Sequence, residues 1–520
     1  PVAPAPAAAP AATVKEGPKP GGRLRTFVNT DAPHFDGMLI RTVTIGNRIQ
    51  GTVYEKLIRY KTGPDVPPGT VILEPNLAER WETPNNTTYV FHLRKGVKWQ
   101  NVPPVNGREF TADDVVWSYN RIKNLPGSVN ASWFIPVTSI EAMDKYTVKV
   151  TTNVPYAPFL ILMGHPFAFI APKEVAEAEG DLKKTAIGTG PFAVSKRTAN
   201  VSIKMDRNPN YYMPGVPYLD GVDVFTIPDT SAQLAALRAG QIDLLTTDFR
   251  EDADSIRRVR TDMQVVKFLG TGHCNFHFRT DEPPWNNEKL RQAFSVALNR
   301  QAEIDTLYSG EGAFSGVLPA GMTGSAIQVK DFPPDIRKFW QRDVKYAKQL
   351  LAEAGYPNGG EFPFILRIAS GFTERVIRYD NDLREAGIKL VMKQTPNAEY
   401  LAGAYVGKYS GAAAGCGGAS GTDPGEGLMN IFHPGFTVTN RGHVNDPVAT
   451  KMLDEQIQTL DIEKRRKLIQ DIQLYLAPKQ YYVFMTVGFT YSLRSARAQG
   501  FNDTESFNNG DVYRYVWIKE

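Results

Sequence analysis

Cysteine is nearly absent: the 520-residue chain holds two, Cys274 and Cys416. Two cysteines cannot build a disulfide framework; they form at most one bridge, and the sequence leaves open whether they are joined. Long apolar runs are absent too. The most apolar stretch, Val154 to Pro172, is interrupted by Pro158, His165 and Pro166, so it is expected to be a core segment and not a membrane span. Charge of one sign is scarce, the formal net charge being +4, too little to argue for nucleic acid as the main partner. Catalytic signatures are missing as well. There is no His-Glu-x-x-His, no Gly-x-Ser-x-Gly and no Gly-Lys-Ser/Thr loop.

What is present is ordinary globular composition, 42% hydrophobic and 22% charged, over a length that calls for at least two domains. Residues 1–20 differ, with six prolines and seven alanines and no bulky apolar side chain beyond valine. Such a segment has nothing to bury and is expected to be an extended tether over 1–21. A stand-off tether suits a protein held at a surface, and on this reading a lipid-bearing residue lies upstream of Pro1.

From Leu24 onward strand and helix signals alternate. Leu24, Thr26 and Val28, then Tyr89, Phe91 and Leu93, then Val201, Ile203 and Met205 recur at the period of half-buried strands. Thr111 with Asp114 three residues on marks a helix start. Asn287, Asp343 and Asp461 are placed to cap later helices, and Gly240, Gly355 and Pro478 to end them. Mixed elements over this length imply layered α/β lobes.

Three segments were candidates for chemistry. Gly188-Thr-Gly190-Pro-Phe-Ala193 has the spacing of a dinucleotide fingerprint, but a strand pattern and no helix follows it, so a tight turn is expected. In His273-Cys274-Asn275-Phe276-His277 the two histidines share one strand face and Cys274 points away, so the three cannot converge on a metal without a bulge. Gly403 to Gly427 holds nine glycines in 25 residues, which suits either a ligand-lining or a plain surface loop. No cofactor is expected.

The ordered blocks Leu77-Ala-Glu-Arg-Trp81, Tyr89 to Trp99 and Phe110-Thr-Ala-Asp-Asp-Val-Val-Trp117 carry a resemblance. Further blocks are Arg207-Asn-Pro-Asn-Tyr211, Leu237-Arg-Ala-Gly-Gln-Ile-Asp243, Pro284 to Phe294, Leu350 to Pro357 and Leu383 to Ile388. Together, over about residues 22–520, the chain resembles family 5 extracytoplasmic solute-binding proteins, the peptide, nickel and oligosaccharide receptors of ABC importers. The resemblance implies an α/β, two-lobed periplasmic-binding-protein-like fold of the large three-domain class II type. Lobe I would be assembled from 22–55, 190–272 and 487–520 with an inserted subdomain at 56–189, and lobe II from 273–486, with a hinge near Gly272 and Thr486. It also implies a monomeric, non-enzymatic receptor outside the cytoplasm, a small-solute ligand, and ABC permease subunits as partners. An envelope hydrolase using Cys416, or a chaperone-like or sensory binder on the same scaffold, are the alternatives.

By the same resemblance, dipeptide and oligopeptide receptors hold the ligand ammonium with an aspartate in a loop that corresponds to Gly415–Pro424. Here Cys416 replaces a tryptophan and Ala419 the aspartate, while Asp423 belongs to a later Asp-Pro turn. Gly417, Gly418, Ala419 and Ser420 are expected to form a small ligand wall. Asp31 or Glu399 are the carboxylates that could replace the missing one. The loop before Arg375, where an arginine of the dipeptide type takes the ligand carboxylate, is short, and Asn397 stands where that type has tryptophan. Asn29, Asp31 and His34 follow the first strand where a cleft loop is expected. Asn275 is assigned to the ligand side of lobe II, and Trp133, Tyr405 and Phe489 are candidate ring platforms.

Overall fold

Capping chemistry sets most helix boundaries in lobe II. In the computed structural model, Asn287, Asp343 and Asp461 each accept a backbone N–H of the first turn, starting helices Glu288–Ala297, Val344–Glu353 and Ile462–Leu476. Asp423 does the same for Pro424–Phe432 and Asp446 for Pro447–Gln458. At the front of helix Ala112–Asn124 the Asp114 carboxylate accepts the Thr111 N–H at 2.9 Å. The structure describes residues 17–40, 48–63, 66, 71–272, 274–322, 324–368, 372–416, 423–437, 439–501 and 510–519. Most of the expected tether, His273 and the wall residues Gly417, Gly418, Ala419 and Ser420 lie outside the described residues.

Four larger sheets organise the described residues. The first runs Arg23–Val28, Gly221–Thr226, Ser202–Arg207, Phe192–Thr198, its first pair parallel and the others antiparallel. The Gly188-Thr-Gly190 turn leads straight into strand Phe192–Thr198, with no helix after it. A Cβ on Gly188 would lie 1.9 Å from the Val53 carbonyl oxygen, so the glycine allows two backbones to touch. An antiparallel sheet ordered Ala78–Asn85, Thr88–Leu93, Thr147–Thr152, Val137–Asp144 lies in the expected inserted region. Its buried Phe91 and Val148, with Phe159 from the short helix Phe159–Met163, join Leu24, Met205 and Val222 in one continuous apolar core. Among the described residues, region 56–189 shares this apolar core with the first sheet.

The third sheet is Leu244–Thr247, Thr486–Arg494, Gln264–Leu269, with a small core of its own around Leu237, Leu245, Ile256 and Leu493. The fourth holds the second large core and runs Ile388–Pro396, Gly360–Ile368, Ala412–Cys416, Cys274–Phe278, Tyr482–Phe484. Two segments connect the third and fourth sheets, one between Leu269 and Cys274 and one between Phe484 and Thr486. They run side by side, joined by Met485 N to Cys274 O at 3.0 Å and Gly270 N to Gly488 O at 3.3 Å. Paired crossing strands bend together, which is how a hinge between lobes is built.

The second crossing is clamped from lobe II. Glu303, fully buried, accepts Thr486 N at 3.2 Å and is ion-paired with Arg375, whose Nη2 also donates to Thr486 O at 2.6 Å. Tyr379 and the Thr486 hydroxyl donate to the same carboxylate. Burial alone would raise the Glu303 carboxyl. The Arg375 charge and these donors outweigh it and hold the group below its ordinary range.

Candidate functional site

Strand alternation sorts the centre of the fourth sheet into two faces. Cys274, Phe276 and Phe278 face the main core together with Ala412, Ala414 and Cys416 from the antiparallel neighbour. Asn275, His277, Ala413 and Gly415 point to the opposite face. The two cysteines are register partners and form a disulfide. Cys416 therefore presents no thiolate, which removes the nucleophile that a cysteine hydrolase would need. His277 and Cys274 diverge, as their alternation requires.

The opposite face is covered by Tyr400, Tyr405 and Tyr409 from segment 397–411 and by Arg441 from a later loop. Asn275 and His277 are buried beneath them, with His277 Nδ1 3.3 Å from Asn275 Oδ1. The Tyr409 ring meets His277 edge-on at 5.5 Å. The Arg441 guanidinium lies 3.7 Å from the Tyr405 ring centroid and donates to Cys416 O at 3.4 Å. At the outer edge Arg367 stacks on Tyr400 and donates to Asn397 Oδ1 at 2.8 Å.

Burial sets the electrostatics. It pushes the Tyr400 phenol up to about 12 and Tyr409 well above its ordinary value. Burial first, and the Arg441 charge second, press the His277 imidazole well below its usual range, so the ring is neutral at pH 7. Among the described residues, four polar atoms on this face have no hydrogen-bond partner: His277 Nε2, Tyr400 Oη, Tyr409 Oη and Arg441 Nε.

The sequence-predicted residues divide three ways. Asn275, Asn397 and Tyr405 come together on this face of lobe II. Asn29 is exposed and His34 half-buried on the loop after the first strand, and Phe489 is half-buried on the strand that leaves the hinge, with Lys267 Nζ 4.2 Å from its ring centroid. Trp133 is not a platform. It is 2% exposed, inside the large core, edge-on to His165 at 5.1 Å.

The carboxylates expected to replace the missing aspartate are committed elsewhere. Asp31 pairs with Arg197 at 3.0 Å and accepts Asn200 N, and Glu399 pairs with Lys393 at 3.1 Å in solvent. Asp423 caps its helix and holds Arg465 through two 2.7 Å bonds. Sequence reasoning missed His277 as a site residue, Tyr400, Tyr409 and Arg441. The alternation around Asn275 was enough to find His277; Arg441 carries no local signal.

A cavity of about 510 Å³ separates the inserted region, through Tyr89, Tyr156 and Leu160, from lobe II at Met322, Pro424 and Ile469. None of the sequence-predicted site residues lines this cavity. Beside it the two sides touch, with Ala157 N donating to Ile457 O at 2.8 Å. Among the described residues no helix is long and apolar enough to cross a membrane.

Two α/β lobes joined by paired crossing strands, with a polar-aromatic face on one of them, define a hinged binding protein. The family model for bacterial extracellular solute-binding proteins, family 5, matches residues 73–437, and the chain belongs to that family. Heme-binding protein A of Haemophilus influenzae is 29% identical over 496 residues, covering 90% of this chain and 87% of its own. Di/tripeptide-binding protein 1 of Pseudomonas aeruginosa is 26% identical and covers 84% of each chain. Among solved structures, the ABC transporter-associated periplasmic binding protein DppA of Helicobacter pylori, in complex with the peptide STSA, superposes with a TM-score of 0.81 at 25% identity. It covers 96% of this chain and 99% of its own. The family and these relatives are binding proteins, and family 5 members work outside the cytoplasm.

Proposed function

We propose that the protein is the receptor of an ABC importer, closing its two lobes on a short peptide and delivering it unaltered to a membrane permease. What supports the reading is the chain-long relation to peptide-binding proteins, above all the likeness to a receptor with its peptide in place. In this reading ligand contacts divided between lobes favour the closed form by their differential affinity over the open one. The receptor acts as a monomer, and the proline- and alanine-rich start is its stand-off from a lipid anchor. Asn29, His34 and Phe489 face the solute from the lobe I side, and Asn275, Asn397 and Tyr405 belong to the opposing wall.

Native mass spectrometry of the protein as purified tests the ligand class, because a closed receptor retains its solute. Adducts with peptide masses are expected. A hexose ladder or a porphyrin mass would replace peptide by another solute. An unliganded protein that a pooled tripeptide library fails to stabilise would overturn the peptide reading.

A further inference from the structure

A second cavity, of about 560 Å³, lies within lobe II, away from the inserted region. Its apolar lining is Ile304, Phe314, Val329 and Trp340, and its charged lining is Lys330 and Arg337. No residue assigned to the solute lies in it, and the strand face that carries Asn275 contributes nothing to it.

Charge sets this cavity apart. The cavity beside the inserted region contains Asp423 with Arg465, the space at Arg94 contains Glu79, and the space at Arg257 contains Glu251 and Asp254. Here two cations stand with no carboxylate among the lining residues. Asp331 and Asp335, their neighbours in sequence, do not line the space. Among the described residues neither Lys330 nor Arg337 has an ion-pair partner. Arg337 Nη1 donates to Lys330 O at 2.8 Å, which brings the guanidinium to the backbone of the other cation. An anion relieves two like charges placed so, and gains charge-assisted hydrogen bonds in doing it. The apolar lining selects further. Inorganic phosphate would leave Phe314, Ile304 and Trp340 uncovered, whereas an anion with an apolar body covers both kinds of surface.

The position of the cavity gives its occupant leverage on the hinge. Phe314 ends the strand Gly312–Phe314, which pairs with Thr486–Gly488 in the second crossing. Ile304 follows Glu303, whose carboxylate accepts Thr486 N. A Cβ on Gly312 would stand 2.9 Å from Val487 O, so strand and crossing are in close contact. A molecule lodged between these elements has unequal affinity for different hinge geometries, and unequal affinity is what shifts a conformational equilibrium.

We propose that this cavity is a second ligand site of the protein, for a small organic anion with an apolar body, and that its occupant acts on the hinge. The proposal goes beyond the reading of the chain as a solute receptor and does not depend on the solute being a peptide.

Titrating the full chain with sodium naphthoate, and separately with naphthamide, tests the site, since the two probes share their rings and differ in charge. The parent should bind naphthoate about 10-fold more tightly than the amide, the gain expected of about one charged hydrogen bond. In a double variant, Lys330→Met with Arg337→Met, both apolar stems are kept and naphthoate should fall to the affinity of the amide. Equal affinities in the parent, or a preference that survives both substitutions, would overturn the site. Lys467→Met, which removes an exposed charge from helix Ile462–Leu476, should keep the preference; its loss there would reduce the effect to net charge and overturn the proposal as well. Hydrogen exchange reads the action on the hinge. With naphthoate bound, the amides of Gly312–Phe314 and Thr486–Gly488 should exchange several-fold more slowly in the parent and at an unchanged rate in the double variant. Exchange that stays the same in the parent at full occupancy would overturn that action.

Discussion

The two faces of the sheet centred on Cys274–Phe278 were built to different standards. On one, Phe276 meets Phe294, Phe364 and Tyr379 with ring centroids 4.9 to 5.9 Å apart, and the disulfide lies in the same layer. Trp285, stacked on Phe278 at 4.4 Å, leaves its Nε1 without a partner among the described residues. On the other, one layer of tyrosines covers a neutral histidine and an arginine, and polar atoms are unpartnered. The difference is one of packing: rings fill the first face, and polar side chains share the second.

That contrast is open to attack, most severely on the core face. Phe276→Ala should cost about 3–5 kcal/mol in denaturant unfolding, the usual range for emptying a fully buried aromatic site. A cost near that of an exposed position would mean that this face is not a close-packed core.

Glu303→Gln should cost about 3 kcal/mol, because it leaves Arg375 buried without its partner charge at the hinge. Its pH dependence has a definite sign. The folded-state carboxyl is depressed, so its contribution is complete above the ordinary carboxylate range and fades as pH falls through the lower folded value. Parent and variant should therefore converge in melting temperature as the solution is acidified. A gap that widened in acid would contradict the clamp.

The smallest expected effect is on the open face. Gly415→Ala forces a methyl group toward Tyr400 Oη and should cost about 1–3 kcal/mol, as overpacking does. Combining it with Tyr400→Phe, which removes the colliding oxygen, should recover part of that loss in a double-mutant cycle. Strict additivity would show that the two positions do not meet.

Much of the fold was legible because its signals are local. Asn287, Asp343 and Asp461 cap within one turn of themselves, and the alternation at Leu24, Thr26 and Val28 needs only neighbouring residues to declare a strand. The site was only half legible. Asn275 and Tyr405 lie on one polar-aromatic face, since a strand period assigns one and a glycine-rich flank draws attention to the other. Trp133 misled because an aromatic ring has the same letter in a core as on a platform. Asp31 misled because its partner, Arg197, is 166 residues away. Arg441 was invisible: an arginine in a polar loop is ordinary, and its place against the Tyr405 ring is a property of the assembled fold.

Capture between lobes is the central claim, and small-angle scattering tests it most directly. With a tripeptide shown by titration to bind, saturation should lower the radius of gyration as the lobes close about the strands near Gly270 and Met485, and the peptide should be recovered intact. A radius of gyration that stays constant at full occupancy, or a peptide returned cleaved, would contradict the account.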